Sequence, residues 1–387
     1  MFRRNSLLSG CLVLLCSLSL AAQSTLAQQP AAVPQKTPPV THSAAALAVD
    51  GEKIATGQSS AAANPLMAVV DAIQKCEQQR VAKKIVAACE PVRVDKENIA
   101  SAAELRDKAQ QQPAALSLFE LKGRRSKVYL FGSVHLMKKN MYPLHSAIIE
   151  RFEGADNLVV EINTDAIPAQ QLQEEFTRRG TLPAGSSLSE RLSPTTLSQV
   201  KQVLAARGYG IQAFQHMQPW FFEQTFVAQE MLVYGYDPGA GIDSYLIKLA
   251  KESGKPVLEL ETLEQQLDML STASATEQDL SMRHTFELLA EESVQSDLNR
   301  LVVDWLRGDV DRMYRYMSEP VKDFPELNTY ITRLLDDRNA QMAKKIRRWL
   351  RGKGSYFVVV GAGHLGGPKG LVKLLEKKGF KIEQIQR

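Results

Sequence analysis

The stretch Lys127-Val128-Tyr129-Leu130-Phe131-Gly132-Ser133-Val134-His135 decides the fold. Its first five residues read as a buried strand, and the glycine after them frees the backbone to turn a later polar side chain out of a sheet edge. The same grammar recurs near the end of the chain, where Ser355-Tyr356-Phe357-Val358-Val359-Val360 runs into Gly361-Ala362-Gly363-His364. Outward from the first stretch, Ser117-Leu118-Phe119-Glu120-Leu121 and a Lys122-Gly123 turn make a hairpin with it. Further short strands are predicted at Asn157-Leu158-Val159-Val160-Glu161-Ile162, Pro256-Val257-Leu258-Glu259-Leu260 and Lys381-Ile382-Glu383-Gln384-Ile385. Helices are predicted over about 143–152 and 369–378, and long helical runs fill 169–250 and 263–350, the first broken at Gly180, Pro183 and Gly208-Tyr209-Gly210. Strands separated by such runs predict an α/β protein: a central mixed sheet with a large helical insertion.

The 387 residues are 44% hydrophobic, 23% charged and 7% aromatic, which excludes a collagen, a coiled coil or a mostly disordered chain. A net charge of +4, from 47 basic and 43 acidic side chains, names no nucleic-acid partner. Arg3 and Arg4, an apolar run from Leu7 to Leu20 and Thr25-Leu26-Ala27 predict a signal peptide over 1–27, cleaved after Ala27. The run is shorter than the roughly 20 residues that span a bilayer, and no later segment is long and uncharged enough to do so. Leu8-Ser9-Gly10-Cys11 precedes the apolar run, so it is discounted as a lipoprotein box. The expectation is a soluble mature protein, periplasmic or otherwise exported. Residues 28–64 are Ala, Pro, Gln, Ser and Thr with almost no large apolar side chains, and are read as a flexible linker. Residues 65–113 are read as a helical segment and 114–387 as a catalytic domain. Export leaves two cysteines, Cys76 and Cys89, for which a disulfide is expected, with two buried free thiols as the alternative.

Three polar residues, His135, Glu161 and His364, each lie at the C-terminal end of an apolar strand, the edge where open α/β sheets bind ligands. Two imidazoles and a carboxylate meeting there would ligate a divalent transition metal that acidifies a water. Glu161 could instead serve as general base. The plainer alternative has the histidines hydrogen-bonded to loop backbone and Glu161 paired with a Lys or Arg. Gly361-Ala362-Gly363-His364-Leu365-Gly366 also matches a dinucleotide fingerprint, but Arg387 follows too soon for further βαβ units. No GxSxG elbow and no P-loop occur. His145, His216 and His284 lack partners at ligand spacing, Trp220-Phe221-Phe222 reads as core packing before a substrate groove, and the basic run 344–353 reads as a solvated helix face.

Tyr129-Leu130-Phe131-Gly132-Ser133-Val134-His135, Val160-Glu161, Pro219-Trp220, Gly241-Ile242-Asp243, Leu260-Glu261-Thr262 with Gln266, Arg338-Asn339 and Gly361-Ala362-Gly363-His364 together resemble the TraB/GumN family, related to PrgY and the Tiki proteases. The resemblance runs from about 117 to 384. It implies a fold similar to the erythromycin esterase and ChaN-like group, and a metal-dependent hydrolase acting on a peptide or protein. It also implies manganese or cobalt, with zinc or iron as alternatives. His135, Glu161 and His364 match the family's metal and catalytic positions. Asp243, Glu261 and Arg338 match recurrent polar positions of substrate-binding or supporting role. Leu136-Met137-Lys138 departs from the relatives' pattern after the first histidine, which predicts an altered cleft rim. Pro368 is placed in the first turn of the following helix. The same resemblance leaves two other readings: an envelope protein holding haem or metal without turnover, and a polysaccharide-associated accessory factor.

Overall fold

The computed structural model describes residues 41–111, 115–291 and 294–387. The expected signal peptide and residues 28–40 lie outside the described residues. The central sheet has six strands in the order β10-β5-β6-β9-β7-β8. These are β5 (Ala115–Lys122), β6 (Ser126–Ser133), β7 (Asn157–Val160), β8 (Val257–Glu259), β9 (Gly354–Gly361) and β10 (Ile382–Gln386). β6, β9, β7 and β8 run parallel, while β5 and β10 add an antiparallel edge, so the sheet is mixed as expected. The central strands are apolar throughout because both faces are covered. Phe131, Phe357 and Val359 pack on one side with Phe152 and Trp305, whereas Leu130, Val358 and Val360 meet Ile346 and Leu375 on the other. Helices Arg338–Arg351 and Leu371–Glu376 form the second cover, and the helical insertion lies over the first.

Register carries the consequence for function. β6 and β9 are neighbours with Ser133 opposite Gly361, and β7 lies against the other side of β9 with Val159 opposite Val358. The carboxyl ends of three adjacent parallel strands therefore present His135, His364 and Glu161 side by side.

The N-terminal region corrects the sequence reading. Residues 42–62 form a hairpin, β1 (His42–Asp50) and β2 (Lys53–Ala62), where a linker is expected. Residues 65–110 are not wholly helical. Between helices Pro65–Ala82 and Ala102–Gln110 lie β3 (Glu90–Val94) and the short β4 (Glu97–Asn98), which complete a sheet ordered β2-β1-β3-β4. The cause is side-chain size. Ala44, Ala46, Ala48 and Ala55 are buried beneath the helix, and a Cβ on Gly57 would stand 1.9 Å from the carbonyl oxygen of Ala72. Helix and sheet approach too closely for large residues, so the composition that suggests a linker is the one this packing requires. The helix is capped by Asn64, whose side chain accepts from the Met67 amide, and Pro65 opens it. Cys76 and Cys89 are joined, tying this helix to the segment entering β3.

Two smaller differences appear. The helix expected over 143–152 is Ser146–Glu153, capped by His145. Pro368 sits in a turn rather than a helix, since the Gly370 amide donates to Gly367 O and the helix begins at Leu371. Among the described residues no helix is long and apolar enough to cross a membrane.

Candidate functional site

The loop leaving β6 is zipped along the start of helix Ile242–Glu252. Met137 and Asp237 exchange backbone hydrogen bonds of 3.3 and 3.0 Å, and the Ile242 amide donates to Val134 O at 3.1 Å. A Cβ on Gly241 would stand 2.4 Å from His135 O, so only glycine permits this approach. Asp243 is thereby delivered to the histidine: His135 Nδ1 donates to its Oδ2 at 2.8 Å, and Ser133 Oγ donates to its Oδ1 at 2.9 Å. Burial opposes charge on both groups, yet each outweighs that penalty for the other. The His135 imidazole is held above its ordinary value and the Asp243 carboxyl below.

Glu161 follows β7 directly, and the ladder to β8 continues past the strands, with the Glu261 amide donating to Glu161 O at 2.8 Å. Two buried carboxylates thus arrive side by side, and Arg338 lies between them. Its Nε and Nη2 donate to Glu261 at 2.8 and 2.6 Å, while Nη2 also reaches Glu161 Oε2 at 2.5 Å. Burial would lower the guanidinium, but Glu161 and Glu261 raise it, so the clamp is fully charged. Gln266 Nε2 completes the support of Glu261 at 3.1 Å.

His364 is held differently. Asn339 Nδ2 donates to Lys369 O at 3.0 Å, which fixes the amide with Oδ1 facing His364 Nδ1 at 2.7 Å. That oxygen can only accept, so the proton sits on Nδ1 and Nε2 keeps its lone pair. Burial, then the positive charge of Arg338, push this imidazole well below its ordinary value. Arg338 and Asn339 occupy consecutive positions at the head of a helix that emerges from a π-helical turn, Thr332–Asp337. A step of about 100° sends one to the glutamates and the other to His364.

The three groups meet at Gly361. Its amide donates to Glu161 Oε1 at 2.6 Å, and a Cβ built there would lie 3.3 Å from His135 Nε2, 3.5 Å from Glu161 Oε1 and 3.7 Å from His364 Cδ2. Both Nε2 atoms are buried without a hydrogen-bond partner among the described residues, an arrangement that asks for an explanation. His364 Nε2 stands 3.9 Å from Glu161 Oε1. The adjoining cavity, about 10 Å³, has room for one water-sized occupant. A neutral His364 nitrogen, a His135 nitrogen that must first give up the proton Asp243 favours, and a carboxylate oxygen suit a transition ion in kind. Among the described residues, however, no three His, Cys, Asp or Glu side chains are drawn close enough to form a finished cation site.

All six residues singled out from the sequence thus assemble, with His135, Glu161 and His364 around one point, Asp243 behind the first, and Arg338 and Glu261 behind the second. The plainer sequence reading holds for Glu161, which does pair with an arginine; the histidines bond to Asp243 and Asn339 rather than to backbone. Nothing in the sequence marks Asn339 or Ser133 for these roles except that Asn339 follows Arg338 and Ser133 precedes Val134-His135. Leu136, Met137 and Lys138 are buried, not on a cleft rim. Lys138 Nζ donates to Tyr234 O at 2.5 Å and lies 4.6 Å above the Tyr236 ring, and burial pushes it down to about 8. Trp220, Phe221 and Phe222 are core residues. His145 caps a helix and His284 packs edge-on to Phe324.

Fold and site together define an α/β protein with paired, carboxylate-flanked imidazoles at the carboxyl edge of a parallel sheet core. The chain belongs to the TraB/PrgY/gumN family, whose model matches residues 117–384. It is 26% identical over 253 residues to the uncharacterized protein YbaP of Escherichia coli strain K12, a match covering 64% of this chain and 87% of that one. An uncharacterized protein of Treponema pallidum strain Nichols is 23% identical over 273 residues, covering 67% and 80% respectively. No solved structure matches. The family match begins in β5, so the four-stranded N-terminal sheet lies outside it.

Proposed function

We propose that this chain is an exported metal-dependent hydrolase that cleaves an amide or ester bond, with peptide as the first substrate class. The observation that carries the proposal is the pair of buried, partnerless Nε2 atoms facing the same point as Glu161 Oε1. A divalent ion held by His135, Glu161 and His364, manganese or cobalt before zinc or iron, would supply an acidified water and polarise the scissile carbonyl. The chain's own groups do the rest. Asp243 and Asn339 hold a proton of each imidazole on Nδ1, which leaves Nε2 as the nitrogen to face the ion, on His135 once the second proton is displaced. Arg338 locks Oε2 of Glu161 and the Gly361 amide holds Oε1, so the carboxylate enters the site in one orientation, to help hold the ion or, in place of that, to take a proton from the attacking water. Similarity to the erythromycin esterase and ChaN-like fold forms part of this reading, as does export, which the leader residues and the Cys76–Cys89 bond support. A cavity of about 10 Å³ favours a single ion over a haem.

Elemental analysis of the mature chain purified without chelator tests the proposal, beside His135→Ala and His364→Ala shown by circular dichroism to be folded. One manganese, cobalt, zinc or iron per wild-type chain, lost in both variants, is expected, followed by turnover in a peptide-library screen. A wild-type chain that holds no metal even after reloading with each ion refutes it.

A further inference from the structure

We propose that the protein has a second binding site, for a small organic anion with an apolar tail such as a medium-chain carboxylate. The site is a cavity of about 240 Å³ between helix Ala102–Gln110, the segment 141–148 and helix Val294–Leu306. It shares no lining residue with the cavity beside His135 and Glu161. The inference is independent of the proposed hydrolase activity.

The walls are apolar: Leu116 and Phe131 from the sheet, Leu144 and Ile148 from one flank, Trp305 from the other. Trp305 is held in place by its own hydrogen bond, Nε1 donating to Gly132 O at 2.8 Å. The charged side chains lining the cavity among the described residues are the partly buried Arg106 and the more open Arg387, and no carboxylate side chain lines it there. Neither guanidinium has a carboxylate within ion-pair distance among the described residues. Arg106 Nη2 reaches only Pro143 O, at 3.5 Å, and Arg387 Nη2 donates to Leu306 O at 2.5 Å. Each guanidinium carries five N–H donors, so most are unspent.

A half-shielded guanidinium beside an apolar hollow, favoured at a distance by Glu90 but with no carboxylate in ion-pair contact, is free to take the head group of an anionic ligand. Burial lowers both guanidinium groups below their ordinary values. A carboxylate head meets the planar fork of Arg106 with two parallel hydrogen bonds, and its alkyl chain fills the hollow. An alkyl ammonium would be repelled, and a neutral alcohol would leave the guanidinium unanswered.

Calorimetric titration of the mature chain with octanoate, octan-1-ol and octylammonium reads the selectivity. Saturable binding of octanoate at one site per chain is expected, with the other two at least about tenfold weaker. Arg106→Gln should weaken octanoate at least about tenfold, and Ile148→Trp, which fills the hollow, should abolish binding. Circular dichroism checks the fold of both; if the tryptophan variant misfolds, Arg106→Gln decides alone. Absence of saturable octanoate binding, alcohol binding as tight as octanoate, or an Arg106→Gln variant of unchanged affinity overturns the proposal.

Discussion

Replacing Arg338 with methionine removes the cation that separates two buried carboxylates while keeping most of the side-chain volume. Arg338, Glu161 and Glu261 are each less than a tenth exposed, and three hydrogen bonds of 2.5–2.8 Å join them. Breaking a buried pair from one side costs about 3–5 kcal/mol, and here two carboxylates are left facing each other, which places the expected loss near the upper end, about 5 kcal/mol at pH 7.5. The loss depends on pH with a definite sign. With the cation gone, two facing buried carboxylates repel each other only while both are charged, so the loss is largest at neutral pH and shrinks as acid neutralises them. Urea denaturation of wild type and variant at pH 7.5 and pH 5 should give a difference that shrinks to about half or less at the lower pH. Adding Glu261→Gln to the variant should recover part of the loss, because one of the facing charges is gone. A loss under about 1 kcal/mol at pH 7.5, or an equal loss at both pH values, refutes the account of Arg338 as the clamp between Glu161 and Glu261.

Three further outcomes follow from named groups. Burial pushes Glu223 up from 4.5 to about 7 despite hydrogen bonds from Thr285 and Ser281, so it destabilises the wild type by about 3 kcal/mol as pH rises across that window. Glu223→Gln should remove that slope in denaturation midpoints measured from pH 4.5 to pH 7.5, and an unchanged slope contradicts the assignment. Gly361 has φ −51°, which any residue adopts, so Gly361→Ala should fold as wild type by circular dichroism yet fail to take up the proposed metal, its methyl standing 3.3 Å from His135 Nε2. Gly57→Ala drives a methyl to within 1.9 Å of backbone at Ala72, and should lower N-terminal sheet stability by more than about 2 kcal/mol, read as faster hydrogen exchange in β1 and β2.

The central sheet was legible because its strands are buried on both faces, and Leu130, Phe131, Val358 and Val359 leave an unbroken apolar signature between glycine-bearing turns. The three principal site residues were legible for a related reason: each stands where such a run ends, and parallel neighbours align those ends. The hairpin at 42–62 escaped because it is built of alanine, and alanine in a tight layer has the same composition as alanine in a linker; only the helix pressed against Gly57 distinguishes the two. Asn339 escaped because a neutral amide that sets a tautomer has no signature of its own. Its role emerges when Lys369 O is seen to fix which end of the amide faces His364. The seam holding Leu136, Met137 and Lys138 was invisible because its other half lies far along the chain, at Tyr234, Tyr236 and Asp237.

The docking of the N-terminal sheet bears on the loop that carries His135. Asn140, five residues past His135, exchanges two 2.9 Å hydrogen bonds with Ala88, and the Glu90 carboxylate accepts from the Asn140 amide at 3.1 Å. Cys89 stands between those two docking residues, so its bond to Cys76 braces the very stretch on which the loop after His135 leans. Opening that buried bond would therefore loosen the stretch on which the loop carrying His135 leans.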